Sequence, residues 1–413
     1  MTKRRVLHLL QGLGIEIEYM IVRKDTLDVL PVSDEVLRSA GGSYANDYEN
    51  GAMGWSNEFV LHVMELKNSE PVPSLKGLDR EFHGEIRLIN KILAPLGGLL
   101  MPSGMHPWMN PRTETKLWPH RYRKVYATYD RIFNCRRHGW ANLQSIHVNL
   151  SFHGDDEFAK LHAAVRLLLP VIPALAASSP VAGGKISGLH DTRLSYYRTN
   201  QQKVPSVMGR TIPEPVFTET AYRQSILKTM YRDMAAYDPE GTIQHEWLNS
   251  RGAIARFERN AIEIRVIDTQ ECPAANIAVS ELIVGVIQLL VSEQWAPVED
   301  QKKWAVSPLV SIFRDTIRGG ETVLIENARY LKMLGFPGSK AGACELWGHL
   351  AEEAGRRRLL NDKSRKIIRF ILDQGTLSSR ILRALGGDNS HMRLKDVYGK
   401  LCRCLARNEM FTG

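Results

Sequence analysis

Polar and apolar residues alternate with a period of two in three separate segments of the chain. The segments are residues 14–22, 144–152 and 260–269. Such alternation predicts strands with one buried face and one polar face. A fourth segment, residues 59–66, is β-branched and apolar and closes before Asn68-Ser-Glu-Pro71, so we predict a strand there as well.

Helical spacing appears between and after these strands. Residues 80–96 end at Gly97-Gly98, residues 156–169 run into Pro170, and helix follows helix beyond Ala275. Residues 178–215 are rich in Gly, Ser and charge and predict a long functional loop. Because the strands come in a run without regular crossover helices, we expect an α+β fold and not a doubly wound parallel sheet.

The division of the chain follows from the same pattern. We predict a catalytic core over residues 1–295 and a helical, basic C-terminal region over residues 296–413, packed on the same core. The chain has 413 residues, 44% hydrophobic and 24% charged. That composition is typical of soluble globular proteins and excludes disordered, collagen-like and coiled-coil chains.

The cysteine content and the hydropathy of the chain indicate the cellular compartment in which the protein is found. The five cysteines are an odd number without a C-x-x-C pair, which favours a reducing compartment. The N-terminal apolar stretch is broken by His8 and Gln11, unlike a signal peptide. The apolar runs 167–177 and 277–291 are too short or too interrupted to span a bilayer. We therefore expect a cytoplasmic protein without a membrane association.

Positive charge is concentrated near the C-terminus. Residues 356–413 hold 14 Lys and Arg against 5 Asp and Glu, which accounts for the whole net charge of +9. A nucleic-acid or other polyanion patch is one interpretation. A solvated face of C-terminal helices is the other, and we favour it because aromatic residues for base stacking are scarce there.

Glu16 and Glu18 lie two residues apart on a predicted strand, so both carboxylates point to one face. They repel each other unless a cation lies between them. An oxygen-rich site for Mg²⁺ or Mn²⁺ is one interpretation, and a solvent-facing charged strand is the alternative.

Similar polar faces recur on the other strands, which favours the metal interpretation. Glu263 and Arg265 share one face, and His147 lies opposite the apolar Ile146 and Val148. Glu58 and Glu65 bracket the fourth segment, but a spacing of seven does not give one face of a plain strand. One of the two should therefore lie in the adjoining loop or across a bulge.

Arginines complete the predicted chemistry. Arg193, Arg251 and Arg265 lie in or beside these segments, and guanidinium groups suit phosphate or carboxylate oxygens. Carboxylates that bind Mg²⁺, combined with arginines, are typical of phosphoryl transfer from ATP. Neither a G-x-x-x-x-G-K-[ST] loop nor a strand-linked G-x-G-x-x-G is present, so nothing indicates a Walker-type or dinucleotide fold.

Taken in order, these motifs resemble those of the glutamate–cysteine ligase type 2 and carboxylate–amine ligase family, within the glutamine-synthetase-like superfamily. The order is collinear over residues 14 to 273, with a weaker match near residue 375. The matching motifs are Gly14-Ile-Glu-Ile-Glu18, Asn57-Glu58, Glu65 ahead of Ser69-Glu-Pro71, Gly104-Met-His-Pro107, Arg121-Tyr122, Ile146-His-Val-Asn149, Pro173-Ala-Leu-Ala-Ala-Ser-Ser-Pro180, Thr192-Arg193, Trp247, Arg251, Ile262-Glu-Ile-Arg-Val-Ile-Asp268 and Gly375-Thr-Leu-Ser-Ser-Arg380.

The resemblance implies a curved antiparallel sheet flanked by helices, with ATP and Mg²⁺ (or Mn²⁺) held in its concavity. Such enzymes phosphorylate a carboxylate, usually the γ-carboxyl of glutamate, and an amine then attacks the acyl phosphate. Arg193 and Arg265 would contact the phosphoryl group. Arg251 would contact substrate, and His106 would either line the substrate pocket or only form a turn. The implied metal ligands are Glu16, Glu18, Glu58, Glu65, His147 and Glu263.

The expected partners are therefore small molecules: ATP, glutamate or a similar carboxylate, and an amine that is cysteine or another compound. Self-association into a homo-oligomer is left open. Two other functions compete with the ligase. One is an ATP-dependent phosphotransferase acting on a guanidino or amino group, and the other is polyanion binding by the basic C-terminal region.

Overall fold

A computed structural model describes residues 6–413. The described part does not include residues 1–5. The N-terminal segment that we interpret as unlike a signal peptide begins in these residues. An eight-stranded sheet has the order β2-β3-β4-β1-β6-β10-β9, with β5 paired to β1, and each of its pairings is antiparallel. The strands are β1 (Leu13–Arg23), β2 (Asp47–Asn50), β3 (Met53–Asn57), β4 (Val63–Asn68), β5 (Gly98–Met101), β6 (Ser145–Ser151), β7 (Val181–Ala182), β8 (Lys185–Ile186), β9 (Ala253–Arg256), β10 (Ala261–Asp268), β11 (Leu324–Ile325) and β12 (Ala341–Gly342).

Helices surround the sheet and make up most of the chain after β10. The α-helices are α1 (Ser33–Gly41), α2 (Leu78–Leu93), α3 (Pro111–Glu114), α4 (Arg123–Phe133), α5 (His138–Ala141), α6 (Gly154–Leu168), α7 (Pro173–Ala176), α8 (Thr192–Tyr197), α9 (Glu219–Tyr222), α10 (Lys228–Met234), α11 (Pro273–Val291), α12 (Val298–Lys302), α13 (Val306–Gly319), α14 (Ala328–Met333), α15 (Ala343–Arg356), α16 (Asp362–Gln374), α17 (Leu377–Leu385) and α18 (His391–Arg407). Short 3₁₀ turns lie at Ala94–Leu96, Leu169–Val171, Pro205–Val207, Glu246–Leu248 and Gly320–Thr322, and a π-helical segment at Arg223–Leu227 joins α9 to α10.

The predicted α+β class is confirmed, and the three alternating segments form β1, β6 and β10. The prediction for residues 59–66 is wrong in its first half, because β4 begins only at Val63. Phe59 and Val60 are apolar because they pack in a small hydrophobic cluster, not because they lie in a strand. Val60 is buried against Met109 in a small cluster to which Phe59 also packs, outside the main ladder.

Two of the predicted helices, α2 and α6, are present in the structure. Both α2 and α6 form within two residues of the predicted starts, and the first ends through a 3₁₀ turn at Gly97, whose φ of 71° favours glycine. The expected loop at 178–215 instead contains the β7–β8 hairpin and α8. The helix α8 begins where the Asp191 carboxylate accepts a hydrogen bond from the Leu194 N–H, a capping contact.

The apolar face of the sheet packs against helices. Residues of α2 and α6 pack on the strands, and α11 packs between these two helices and α15 and α16. By length and composition α11 could cross a membrane, but 89% of its most apolar window is buried inside the protein, as in a core helix.

Hydrophobic contacts join the two predicted parts of the chain. One continuous cluster of buried side chains includes Leu13 of β1 and Leu405 of α18. The division at residue 295 and the packing of the C-terminal region on the core stay predictions.

Candidate functional site

Strand register brings the predicted acidic residues onto one face of the sheet. Glu16 lies opposite His147, and Glu18 lies opposite Glu65. Directly opposed residues of antiparallel strands project to the same side. Glu263 of β10 lies opposite Asn149, two residues from His147 on β6, so it joins the same face. This polar surface of β4, β1, β6 and β10 is called the acidic face below.

Two groups of metal-ligating atoms form on the acidic face. Glu16, His147 and Glu263 make one group, and Glu18, Glu65 and His147 make the other. Within each group the ligand atoms lie within 4.8 Å of one another. Carboxylate oxygens with one imidazole suit Mg²⁺ or Mn²⁺, and His147 could complete either group, since a neutral imidazole ligates one ion.

Glu58 lies in the loop after β3 while Glu65 lies in β4, as their spacing of seven required. Burial, followed by the charges of Glu18 and Glu65, raises the pKa of Glu58 well above its usual value. Burial and the charge of Glu16 raise the pKa of Glu65 to about 7. Both shifts mean that these carboxylates crowd one another, and a bound cation would remove the repulsion.

His147 links the two metal-ligating groups through both ring nitrogens. Its Nδ1 lies 3.1 Å from Glu16 Oε2, and its Nε2 lies 2.9 Å from Ser145 Oγ. Since Ser145 Oγ donates to Glu18 at 3.0 Å, this geometry suits a ring that donates at both positions, and a ring nitrogen must lose its proton before it ligates a metal ion. Burial opposes the positive charge of such a ring, but the Glu16 hydrogen bond and the charge of Glu18 raise the His147 pKa.

The other partner, Glu16, is held ionised. Burial alone would raise its pKa, but the hydrogen bond and charge of His147, with the charges of Lys67 and Arg259, lower it to about 2. Lys67 lies opposite Glu16 on β4, and its Nζ is 3.6 Å from Glu65.

Arg265 lies on the acidic face beside Glu263. Its Nε is 3.1 Å from Glu263 Oε1, and Arg256 contacts the other oxygen of the same carboxylate at 3.0 Å. Burial opposes the charge of Arg265, but Tyr197, Glu263 and Glu18 raise its pKa above the usual range. One quarter of the Arg265 side chain is exposed, and its Nε atom is buried.

A β-bulge at Arg265 and Val266 changes which residues face the site. The β10–β6 register shifts by one between Ile264 and Ile267. A plain period of two would turn Asp268 toward the core, whereas the bulge places it opposite Ser145 on the acidic face. The sequence analysis therefore missed Asp268, because a bulge leaves no mark in the alternation.

Asp268 determines how Arg193 is held. The Arg193 Nε donates to Asp268 Oδ1, and the two side chains are 1% and 0% exposed. Asp268 Oδ2 accepts from the Ser178 N–H at 2.9 Å and from Ser179 Oγ at 2.7 Å. Both outer nitrogens of Arg193 lie 3.4 Å from the carbonyl of Arg265. Arg193 is thus fixed beside Arg265, and its contact with a phosphoryl group stays a prediction.

The two predicted substrate-binding residues are already engaged by the protein. Arg251 donates to both carboxylate oxygens of Glu214, at 2.5 and 2.7 Å. His106 is fully buried, donates through Nε2 to the Leu27 carbonyl and accepts the Met109 N–H at Nδ1. This geometry matches the turn-forming role of His106, and substrate contacts by either residue remain predictions.

Tyrosines that the sequence analysis did not single out also adjoin the site. Tyr126 accepts a hydrogen bond from Asn57 Nδ2 at 3.0 Å, and burial followed by the charge of Glu58 raises its pKa. Tyr197 of α8 has a raised pKa because burial outweighs the charges of Arg265 and Arg193. No sequence motif marked these residues, since they come from helices that only the tertiary fold brings over the sheet.

Sequence comparison places this site within a known group of proteins. A sequence model described as glutamate-cysteine ligase family 2 matches residues 12–314. An uncharacterized protein of Archaeoglobus fulgidus is 32% identical over 403 residues, covering 97% of this chain and 100% of that protein. A putative glutamate–cysteine ligase 2-1 of Nocardioides is 23% identical over 308 residues, covering 73% of each chain.

Solved structures share the fold. The glutamate–cysteine ligase of Francisella tularensis, solved in complex with AMP, has a TM-score of 0.59 and 13% identity, covering 97% of this chain and 90% of that one. A bifunctional glutathione synthetase from Pasteurella multocida has a TM-score of 0.56 and 14% identity, covering 95% of this chain and 52% of that one.

Proposed function

Since the chain belongs to glutamate-cysteine ligase family 2, we propose that it is an ATP-dependent carboxylate–amine ligase. The proposed carboxylate is the γ-carboxyl of glutamate, and the acceptor is an amino acid or another amine, with cysteine one candidate. The observation that carries this proposal is the pair of carboxylate groups that share His147 on the acidic face.

The proposed reaction has two steps. An oxygen of the substrate carboxylate attacks the γ-phosphorus of ATP, and the bond from that phosphorus to the bridging oxygen of ADP breaks. The amine nitrogen then attacks the carbonyl carbon of the acyl phosphate, loses a proton and expels inorganic phosphate. The products are an amide, ADP and phosphate. Both steps gather negative charge on phosphoryl oxygens, which cations must stabilise.

The residues present fit divalent metal ions. Glu58 and Glu65 have raised pKa values because negative charge is crowded and buried there, so a cation would relieve an existing repulsion. Mg²⁺ or Mn²⁺, when bound, would neutralise phosphate oxygens of ATP. The proposed ligands are Glu16, Glu18, Glu58, Glu65, His147 and Glu263.

Arginines would supply the remaining positive charge. The Arg265 side chain is partly exposed at the edge of the carboxylate groups, so we assign it to the transferring phosphoryl group. Arg193 is buried beside it and paired with Asp268, and we propose that it contacts the same phosphoryl group. The AMP bound to the ligase of Francisella tularensis supports nucleotide binding by this fold.

We also propose a cytoplasmic location. All five cysteines are free thiols in the structure, which suits a reducing compartment.

The test is phosphate release from ATP with glutamate and a panel of amines, with mass analysis of the products. A ligase gives an amide together with inorganic phosphate, and it needs Mg²⁺ or Mn²⁺. A phosphorylated nitrogen would indicate the alternative phosphotransferase, and full activity in excess EDTA would exclude the metal site. Glu263→Gln should lose activity, while Glu352→Gln, an exposed control on α15, should keep it.

A further inference from the structure

A cavity of about 330 Å³ lies outside the acidic face, between residues 110–112, 136–140 and 196–200. None of its lining residues belongs to the sheet, and none is Asp or Glu. The volume is at the lower end of the range for small-molecule sites, where one compact molecule fits. The name basic cavity is used for it below.

Three arginines are among the residues that line the basic cavity, Arg112, Arg136 and Arg137, and all three are exposed. Within residues 6–413, no carboxylate lies within 4 Å of any of them. Arg136 is anchored through Nη1, which donates to the Thr115 carbonyl at 3.0 Å, so its other nitrogens are free to bind. Three unneutralised arginines around one concavity favour an anion with several oxygens.

The remaining walls are aromatic and amide groups. His138 and Tyr196 face each other with ring centroids 5.1 Å apart. Burial lowers the pKa of His138, which favours the neutral ring. The Trp140 Nε1 is buried without a hydrogen-bond partner in the described chain. An aromatic wall beside arginines suits an oxyanion carried on a compact organic body.

The basic cavity joins two segments that also reach the acidic face. On α8, Tyr196 lines the cavity while Arg193 and Tyr197, one turn apart, adjoin the acidic face. Trp140 lines the cavity and packs against Phe59, which follows Glu58, with ring centroids 5.9 Å apart. Asn200 Nδ2 donates to the Gly139 carbonyl and joins these two segments, and a bound anion would add a second link between them.

We infer that the basic cavity is a binding site for a small organic oxyanion, a carboxylate or a phosphate ester. The guanidinium groups of Arg112, Arg136 and Arg137 bind its oxygens, and Trp140 and Tyr196 cover its body. The inference does not depend on the proposed ligase reaction, because it uses no residue of the acidic face.

Calorimetric titration of the full chain with succinate and, separately, with glycerol phosphate tests this site, and the tighter ligand identifies the oxyanion. We expect one saturable site per chain, weakened at least tenfold in Arg136→Gln/Arg137→Gln, because each charge-assisted hydrogen bond contributes about 1.5–3 kcal/mol. The matched control Arg87→Gln/Arg407→Gln removes the same charge from exposed helix positions and should bind as the wild type does.

A second arm separates the basic cavity from the acidic face. Arg265→Gln should keep the titrated site, even though it would impair binding of phosphate groups at the acidic face. Hydrogen exchange of the unmodified protein should slow within 136–140 and 196–200 when the ligand is added, whatever the variants do to folding. Absence of saturable binding by both ligands, equal weakening in the control pair, or loss only in Arg265→Gln would overturn the inference.

Discussion

Asp268→Asn perturbs the contact that fixes Arg193 beside the acidic face. The substitution keeps the size of the side chain and one oxygen, but it removes the charge opposite a guanidinium that is 1% exposed. Removing one partner of a buried ion pair costs about 3–5 kcal/mol, because the other charge stays buried without compensation.

The carboxyl group of Asp191 determines how much of this loss of stability is measured in the single variant. Burial, followed by the charge of Asp268, raises the pKa of Asp191 well above its usual value, which favours the protonated form of Asp191 beside Asp268. Without the charge of Asp268, Asp191 can ionise and pair with Arg193. We therefore expect Asp268→Asn alone to cost less than the double variant Asp191→Asn/Asp268→Asn, which should lose about 3–5 kcal/mol.

Urea unfolding followed by tryptophan fluorescence and circular dichroism measures these differences. Asp373→Asn is the control, since its carboxylate is 63% exposed and lies 3.8 Å from Arg369, a pair worth about 0–1 kcal/mol. Gly104→Ala is an independent perturbation, because a Cβ there would lie 2.6 Å from Asp268 Oδ2 and must displace it. If the double variant is as stable as Asp373→Asn, Asp268 does not neutralise Arg193 and the reasoning is refuted.

Three further predictions concern the acidic face and the basic C-terminal region. Glu263→Gln should lower both turnover and ATP affinity, the latter measured by calorimetry. Arg265→Lys should keep ATP affinity and lose roughly 10²–10³-fold in kcat. Loss of ATP affinity with an unchanged kcat in Arg265→Lys would contradict this prediction. The pKa of Glu65 rises from 4.5 to about 7, so the metal-free protein should lose stability as pH rises through that interval. Mg²⁺ should therefore raise the unfolding temperature more at pH 8 than at pH 6, and Glu65→Gln should reduce the difference. The basic residues Arg356, Arg357, Arg358, Lys363 and Arg365 lie outside the acidic face, so neutralising several of them should leave turnover unchanged. Arg356 and Arg357 pair with Glu353, Arg365 pairs with Asp362, and Lys363 pairs with Asp79 of α2. A selective loss of turnover with the fold intact would contradict this.

The acidic face was predictable because strand alternation is a local property. Glu16, Glu18 and Glu263 each stand between apolar residues, so their shared direction could be read directly from the sequence. These carboxylates lie close to His147 because of the strand order and register. Alternation does not predict either property, and only the family resemblance of the ordered motifs indicated them. The same resemblance indicated the antiparallel sheet.

Other features depend on contacts that no local pattern encodes. The bulge at Arg265 places Asp268 on the acidic face, although simple alternation places it in the core. The carboxylate of Glu214, which lies 37 residues away along the chain, accepts a hydrogen bond from Arg251. Phe59 is apolar because it packs beside Val60 and Met109, and periodicity alone cannot distinguish that packing from a strand.

The central claim, carboxylate activation by ATP on the acidic face, is tested most directly by following oxygen atoms. Glutamate labelled with ¹⁸O in its γ-carboxylate is incubated with ATP, Mg²⁺ and the acceptor amine that gives the most phosphate. The released phosphate is then analysed by mass spectrometry. An acyl-phosphate route transfers one carboxylate oxygen to each phosphate, so one ¹⁸O per phosphate is predicted. Amide formation with unlabelled phosphate would contradict the account.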